Sequence, residues 1–300
     1  MKNTLKYSLI LLAGFSALSL NSCAPRDEMR NQVASRIASP AWMVKREVQT
    51  GNFALMAFER MHEREAPATL YIEGDGKADE SQIRPLFNAT PVNPVGLHLA
   101  SKDKAINVAY LARPCQFTHE SKGGDAAKAC STQFWNAGAP YSEQVLAGYQ
   151  QALDGIKKRY GITKFHLVGY DGGATIAAAL AAQRKDVLSL RTVAGEFDEN
   201  TLSPHIGALR FVPQHHYIGG ADTVNPPAGL HAYLQALGEN ECTQYTLIQE
   251  AAHEKGWVDK WPELLKANMP ACTLPPAPVF EPILKPKPPY YPRNLSDMKK

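Results

Sequence analysis

The chain has 300 residues, of which 44% are apolar and 20% charged, with a formal net charge of +3. That composition belongs to a globular protein and excludes collagen-like, coiled-coil and wholly disordered chains. Without Lys2 and Lys6, which fall in the leader described next, the charge drops from +3 to about +1, so no electrostatic case for nucleic acid exists.

Lys2 and Lys6 precede an uncharged, apolar or small-residue run from Leu9 to Leu20. Too short to span a bilayer comfortably, the run reads as the apolar region of a signal peptide. It ends in Leu20-Asn21-Ser22-Cys23, which resembles a lipobox, the site at which bacterial lipoproteins are cleaved and lipidated. Residues 1–22 are thus expected to be a leader, Cys23 to carry lipid that holds the protein to a membrane, and residues 23–45 to form a polar tether with room for a short helix. Ala24, rather than an acidic residue, resembles outer-membrane sorting in Gram-negative bacteria, with the protein facing the periplasm. The competing reading is an ordinary cleaved signal with Cys23 as a bystander.

Four cysteines remain: Cys115, Cys130, Cys242 and Cys272. In an oxidising compartment an even number reads as two disulfides, and four cysteines allow three pairings. Cys115–Cys130 and Cys242–Cys272 are preferred because each closes a modest local loop. A zinc site is disfavoured, because no CxxC spacing occurs.

Val48 to Met61 predicts two strands around the turn Thr50-Gly51-Asn52. Thr69 to Ile72 is a buried strand ending in Glu73-Gly74-Asp75-Gly76. Residues 77–105 read as a loop, and Ile106 to Leu111 as a strand. From Ser142 to Tyr160, Val145, Leu146, Tyr149, Leu153, Ile156 and Tyr160 recur at helical steps, with Ser142 as N-cap and Gly161 as stop. Phe165 to Val168 is a strand that runs into Gly169-Tyr170-Asp171-Gly172-Gly173 and a small-residue helix from Ala174 to Gln183. Further strands are expected at 189–193, 211–218 and 244–248, with helices at 227–237 and near 261–267. Strands alternating with helices predict a mostly parallel sheet covered on both faces, with ligands at the carboxyl ends of its strands. Residues 46–272 form this one domain. Residues 273–300, rich in proline and lysine, read as an extended basic tail that either is solvated or contacts an envelope partner.

The segment 169–173 follows the pattern G-x-nucleophile-x-G, a strand-to-helix turn that forces its middle residue to positive φ and exposes that side chain beside a helix N-terminus. Together with Tyr71-Ile72-Glu73-Gly74-Asp75-Gly76, Leu111-Ala112-Arg113-Pro114-Cys115-Gln116, Gly220-Ala221-Asp222-Thr223-Val224 and Ala252-His253-Glu254-Lys255-Gly256-Trp257, it resembles a group of bacterial α/β-hydrolase-like proteins over roughly residues 50–270. The order nucleophile, acid, histidine matches that fold. The resemblance implies Asp171 at the nucleophile position, Asp222 as the triad acid, and His253 as general base. It also implies an oxyanion hole made by the backbone N–H groups of Asp75 and Gly172. No cofactor is implied.

Most relatives carry serine where Asp171 stands. A carboxylate cannot become an alkoxide, and it opposes a second anion in the oxyanion hole. It does attack saturated carbon, forming an ester that a His-activated water opens. Epoxide hydrolases and haloalkane dehalogenases resemble this elbow in using Asp, but they insert a cap before the strand preceding the triad acid, and here no room exists for one. Trp257 or tyrosines within residues 77–145 are candidates for the missing leaving-group contacts. Three readings stay open. One is a hydrolase using Asp171 as nucleophile or as base for water, acting on a small molecule. Another is a non-catalytic relative that keeps the pocket for binding. The third is a metal held by Asp171, Asp222 and His253, for which the resemblance gives no precedent.

Overall fold

The computed structural model describes residues 26–51, 53–76, 89–117, 134 and 139–272. The leader, Cys23, Cys130 and the proline-rich tail lie outside them. A hairpin of β1 (Val44–Gln49) and β2 (Ala54–Met61) opens the sheet, with Thr50 N–H closing the turn on Phe53 O at 2.9 Å. Six further strands follow: β3 (Ala68–Ile72), β4 (Asn107–Leu111), β5 (Phe165–Tyr170), β6 (Val187–Val193), β7 (Gln214–Gly219) and β8 (Thr243–Ile248). The eight strands lie in the order β1-β2-β4-β3-β5-β6-β7-β8, antiparallel at β1/β2 and β2/β4 and parallel elsewhere. This is the mostly parallel, doubly covered α/β sheet expected from the alternation of elements.

Alternation along each strand builds two cores. Leu55, Ala57, Leu70, Ile72, Ala109 and Leu111 face one side, where α3 (Glu143–Tyr160), α4 (Gly173–Gln183) and α5 (Pro227–Leu237) pack. Met56, Phe58, Tyr71, Val108 and Tyr110 face the other, against α1 (Arg26–Ala38), α2 (Val95–Lys102), Trp257 and Trp261. The segment read as a tether therefore contains α1, whose Ala34 and Ala38 are buried in this second core. In α3, Gly161 takes the left-handed stop conformation at φ 70°, while Ser142 holds the N-cap position without a side-chain bond.

Three expectations change. Residues 95–102 are helix, not loop. The strand expected from Phe211 begins at Gln214, since Pro213 has no N–H for a ladder. The last helix is a single turn, Trp261–Leu264. Residues 194–213, where a cap would be inserted, hold only the short turns Glu199–Leu202, Ser203–His205 and Ile206–Leu209. Cys242 and Cys272 form the expected disulfide. Cys115 is buried, and its expected partner lies outside the described residues.

Candidate active site

Asp171 sits where β5 turns into α4, at φ 52°. The turn is tight because strand and helix nearly touch: a Cβ on Gly169 would stand 2.5 Å from Ala174 Cα, and one on Gly173 would stand 2.5 Å from Glu73 O. Any side chain at either position would force the backbone apart, which explains the glycines flanking the elbow. The Asp171 carbonyl accepts from Ala174 N (2.9 Å) and Glu196 N (3.0 Å), pinning the turn to both the helix and the loop after β6.

The Asp171 carboxylate is nearly buried, and its two oxygens face different partners. Oδ2 accepts the backbone N–H of Asp75 at 2.8 Å. Oδ1 accepts Asn225 Nδ2 at 2.7 Å and lies 3.6 Å from His253 Nε2, a separation too long for a hydrogen bond. The other ring nitrogen, His253 Nδ1, is 3.1 Å from Asp222 Oδ2. Asp222 is fixed by the amides of Val224 and Asn225, each 2.9 Å from its Oδ1. The His253 carbonyl accepts from Tyr170 OH (3.2 Å) and Trp257 Nε1 (3.0 Å), so the histidine loop is held from two sides.

The loop that presents the Asp75 amide is held at three points. The buried Glu73 carboxylate accepts from Gly96 N (2.9 Å), Leu97 N (3.2 Å), Gly74 N (3.1 Å) and Tyr110 OH (2.9 Å). It thereby caps the N-terminus of α2, whose own cap residue is Pro94 and has no side-chain acceptor. Gln116 Nε2 donates to Gly74 O at 2.9 Å. The fully buried guanidinium of Arg113 pairs with the Asp75 carboxylate and donates to Pro140 O at 3.0 Å. Tyr141 OH donates to Glu196 Oε2 at 2.9 Å and lies 3.5 Å from Asp75 Oδ2. Burial pushes Glu73 up to about 7 and raises the Asp75 carboxyl as well. Glu196 is also pushed up to about 7, by burial first and then by the carboxylates of Asp75 and Asp171.

Two structures with the same layout show what this arrangement is built on. An alpha-beta serine hydrolase homologue from Coxiella burnetii matches with TM-score 0.53 and 17% identity, over 74% of this chain and 95% of its own. A protein of unknown function from Agrobacterium tumefaciens matches with TM-score 0.54 and 17% identity, over 74% and 93%. The chain has the α/β-hydrolase fold. A bacterial membrane phospholipase A shares it with TM-score 0.52 and 15% identity, over 79% of this chain and 87% of its own. No protein-family model matches the sequence, and no curated protein matches it.

On this α/β-hydrolase scaffold Asp171, His253, Asp222 and the Asp75 amide come together, all in loops at the carboxyl ends of β5, β8, β7 and β3. Gly172 lies at the same place, but the space above it is filled: a Cβ there would collide with the Asp75 carboxylate and stand 2.6 Å from Tyr141 OH. Among the described residues, no cluster of three or more His, Cys, Asp or Glu has the arrangement to hold a metal. Trp257 does not reach the site with its indole N–H, which donates to Ala252 O (2.8 Å) and His253 O. Asn225, Glu73 and Glu196 carry parts of the site that the sequence reading did not assign, and Tyr141 is one of the tyrosines within residues 77–145 that it named only as a group. For Arg113 the signal was present in the Arg113-Pro114-Cys115-Gln116 stretch, and for Asn225 in its position three residues after Asp222.

Proposed function

We propose that the protein is a hydrolase in which Asp171 is the nucleophile. It attacks a saturated carbon bearing a leaving group, and His253, oriented by Asp222, activates the water that opens the resulting ester. The observation that carries this reading is the division of labour within the Asp171 carboxylate. Oδ2 rests on the Asp75 N–H, the donor an oxyanion hole supplies, while Oδ1 lies on the side of His253. An acyl substrate would need that N–H for its own carbonyl oxygen and finds it taken. For an alkyl ester on Oδ1 the situation reverses. When water adds to Cγ, the oxygen that gains charge is Oδ2, already on its donor, so no reorganisation is needed.

A second reading rests on the filled space over Gly172. An Asp75 side chain locked by Arg113 favours a relative that keeps the fold for binding alone. In either case we place the protein in the cell envelope, lipid-anchored through Cys23. The Lys2/Lys6 leader, the lipobox-like segment and the Cys242–Cys272 disulfide support this.

The test is a single turnover in ¹⁸O-water with epoxide and haloalkane substrates, followed by mass analysis of the peptide containing Asp171. Label in Asp171, and loss of turnover in Asp171→Asn, are the expected results. Silence from the native chain, with ester hydrolysis appearing in Asp171→Ser, would establish the binding reading instead.

A further inference from the structure

We propose that the end of the sheet carrying Asp171 lies against a phospholipid bilayer, with Met29, Val92 and Val224 set into the headgroup layer; this rests on lipid at Cys23 and is independent of the chemistry at Asp171. The helix α1 runs from that end of the molecule to the other. Near its start, Arg30 Nη1 donates to Thr90 O at 3.0 Å. Thr90 belongs to the layer above the carboxyl ends of the strands. Its Oγ1 accepts from Phe117 N at 2.7 Å, in the loop after β4, and the neighbouring Ala89 O would stand 2.5 Å from a Cβ on Gly76, in the loop after β3. Just beyond the far end of α1, Ala41 O accepts from Arg60 Nη1 at 3.0 Å, and Arg60 pairs with Val108 at the amino end of β4. Cys23 comes three residues before Arg26, the first residue of α1, so the chain emerges from the anchor at the end that holds the site.

Apolar side chains are exposed at both ends, and the anchor decides between them. At the opposite end stand Trp42, which is 80% exposed, Val44, and Leu188 and Phe211 beside the amino ends of β6 and β7. Bringing that end to the membrane would lift Arg26 by the length of α1, whose 13 residues span about 18 Å. The three residues from Cys23 to Arg26 reach at most about 11 Å. A molecule lying along α1 would instead press Ser35 and Arg36, both exposed, into the apolar layer.

The end where α1 begins has neither obstacle. Three separate segments each expose an apolar side chain there: Met29 in α1 (56%), Val92 (52%) and Val224 (62%). Val92 precedes Asn93, whose Nδ2 donates to Glu254 Oε2 at 3.3 Å, beside His253. Val224 lies between Asp222 and Asn225, the partners of His253 and Asp171. Apolar side chains held at a membrane surface gain by entering the boundary between headgroups and acyl chains, which adds to the hold of the lipid on Cys23. The site then faces the leaflet that carries the anchor.

The test uses the full chain, expressed with its leader in bacteria, purified in detergent and reconstituted into phosphatidylcholine vesicles. Part of the lipid carries a diazirine in one acyl chain. After flotation and irradiation, lipid adducts are mapped by peptide mass spectrometry. Adducts on Met29, Val92 and Val224, with none on Trp42, Leu188 or Phe211, are the expected result. The double variant Val92→Asp, Val224→Asp should still float but lose the adduct on Met29. Retention of that adduct would mean that Met29 is labelled through its nearness to the tether, and would overturn the docking. Adducts on Met29 and Trp42 together would mean that the molecule lies along α1, and would overturn the orientation. Floating protein without these adducts would overturn the docking and leave the anchor intact; a mass of two chains in detergent would then assign the apolar rim to a second copy. A chain that fails to float would overturn the anchor and the docking together.

Discussion

On one flank of Asp171 stand His253, Asp222 and Asn225, carried by the loops after β7 and β8; on the other stand Asp75, Arg113, Tyr141 and Glu196, drawn from four separate segments. The first flank is a short chain of hydrogen bonds in which each member keeps other partners. Asp222, for example, retains two backbone amides whether or not His253 is present. The second is a buried charge network around one guanidinium. The difference teaches that damage to the first flank should cost chemistry, whereas damage to the second should cost the fold.

The largest expected effect tests that contrast directly. Arg113→Met leaves the Asp75 carboxylate without its cation and Pro140 O without its donor. Breaking a buried pair costs about 3–5 kcal/mol, and the partial exposure of Asp75 puts the expectation near the lower end. His253→Ala should cost under about 1 kcal/mol of stability while abolishing turnover. Urea denaturation of both variants measures the difference. Equal stabilities would break the comparison.

A smaller effect is expected at the junction of the two flanks. Asn225 Nδ2 donates both to Asp171 Oδ1 and to the carbonyl of Ala194, a residue held at φ 47°. Asn225→Ala removes the donor from a strained turn and from the nucleophile, at about 1–2 kcal/mol. Because the Asp75 N–H on Oδ2 is then the remaining hydrogen bond described for the carboxylate, its orientation loosens and the rate of Asp171 alkylation should fall as well. A variant that loses neither stability nor rate would show that the Asp75 amide alone orients the carboxylate.

The two flanks also differ in how far they could be read from the sequence. Asp171, Asp222 and His253 were legible through the resemblance to α/β-hydrolase-like proteins, whose motifs they carry, and the parallel sheet brings the loops after β5, β7 and β8 to one edge. The second flank depends on pairings without a local signature. The helix α2 illustrates why: Pro94 offers no cap, Gly96 weakens the pattern, and the carboxylate that satisfies its N-terminus is Glu73, distant in sequence. Asp75 was read for its backbone alone, whereas its side chain binds Arg113 across the loops. Glu196 lies in a loop whose sequence, Ala194-Gly195-Glu196-Phe197, carries no motif. Nothing in it announces that the Glu196 amide reaches Asp171.

The buried carboxyls also impose a pH dependence, and the sign of their contribution is specific. Glu73 and Glu196 titrate near 7 in the folded chain, against an ordinary glutamate value of 4.5. Between those values the folded state holds protons that the unfolded state has released. Their contribution to stability is therefore fully present below the unfolded value and is lost as pH rises toward about 7. Asp186, held down to about 2 by Arg184 and Lys157, acts in the opposite sense at lower pH, and His215 and His216, lowered by burial to about 4 and about 3, act in the opposite sense within this window. The histidines are common to the native chain and Glu196→Gln, so the difference between their urea midpoints isolates Glu196: the native chain should lose ground relative to the variant as pH rises through the window. A difference that stays constant with pH would mean that Glu196 is ionised throughout and that its bond from Tyr141 outweighs its burial.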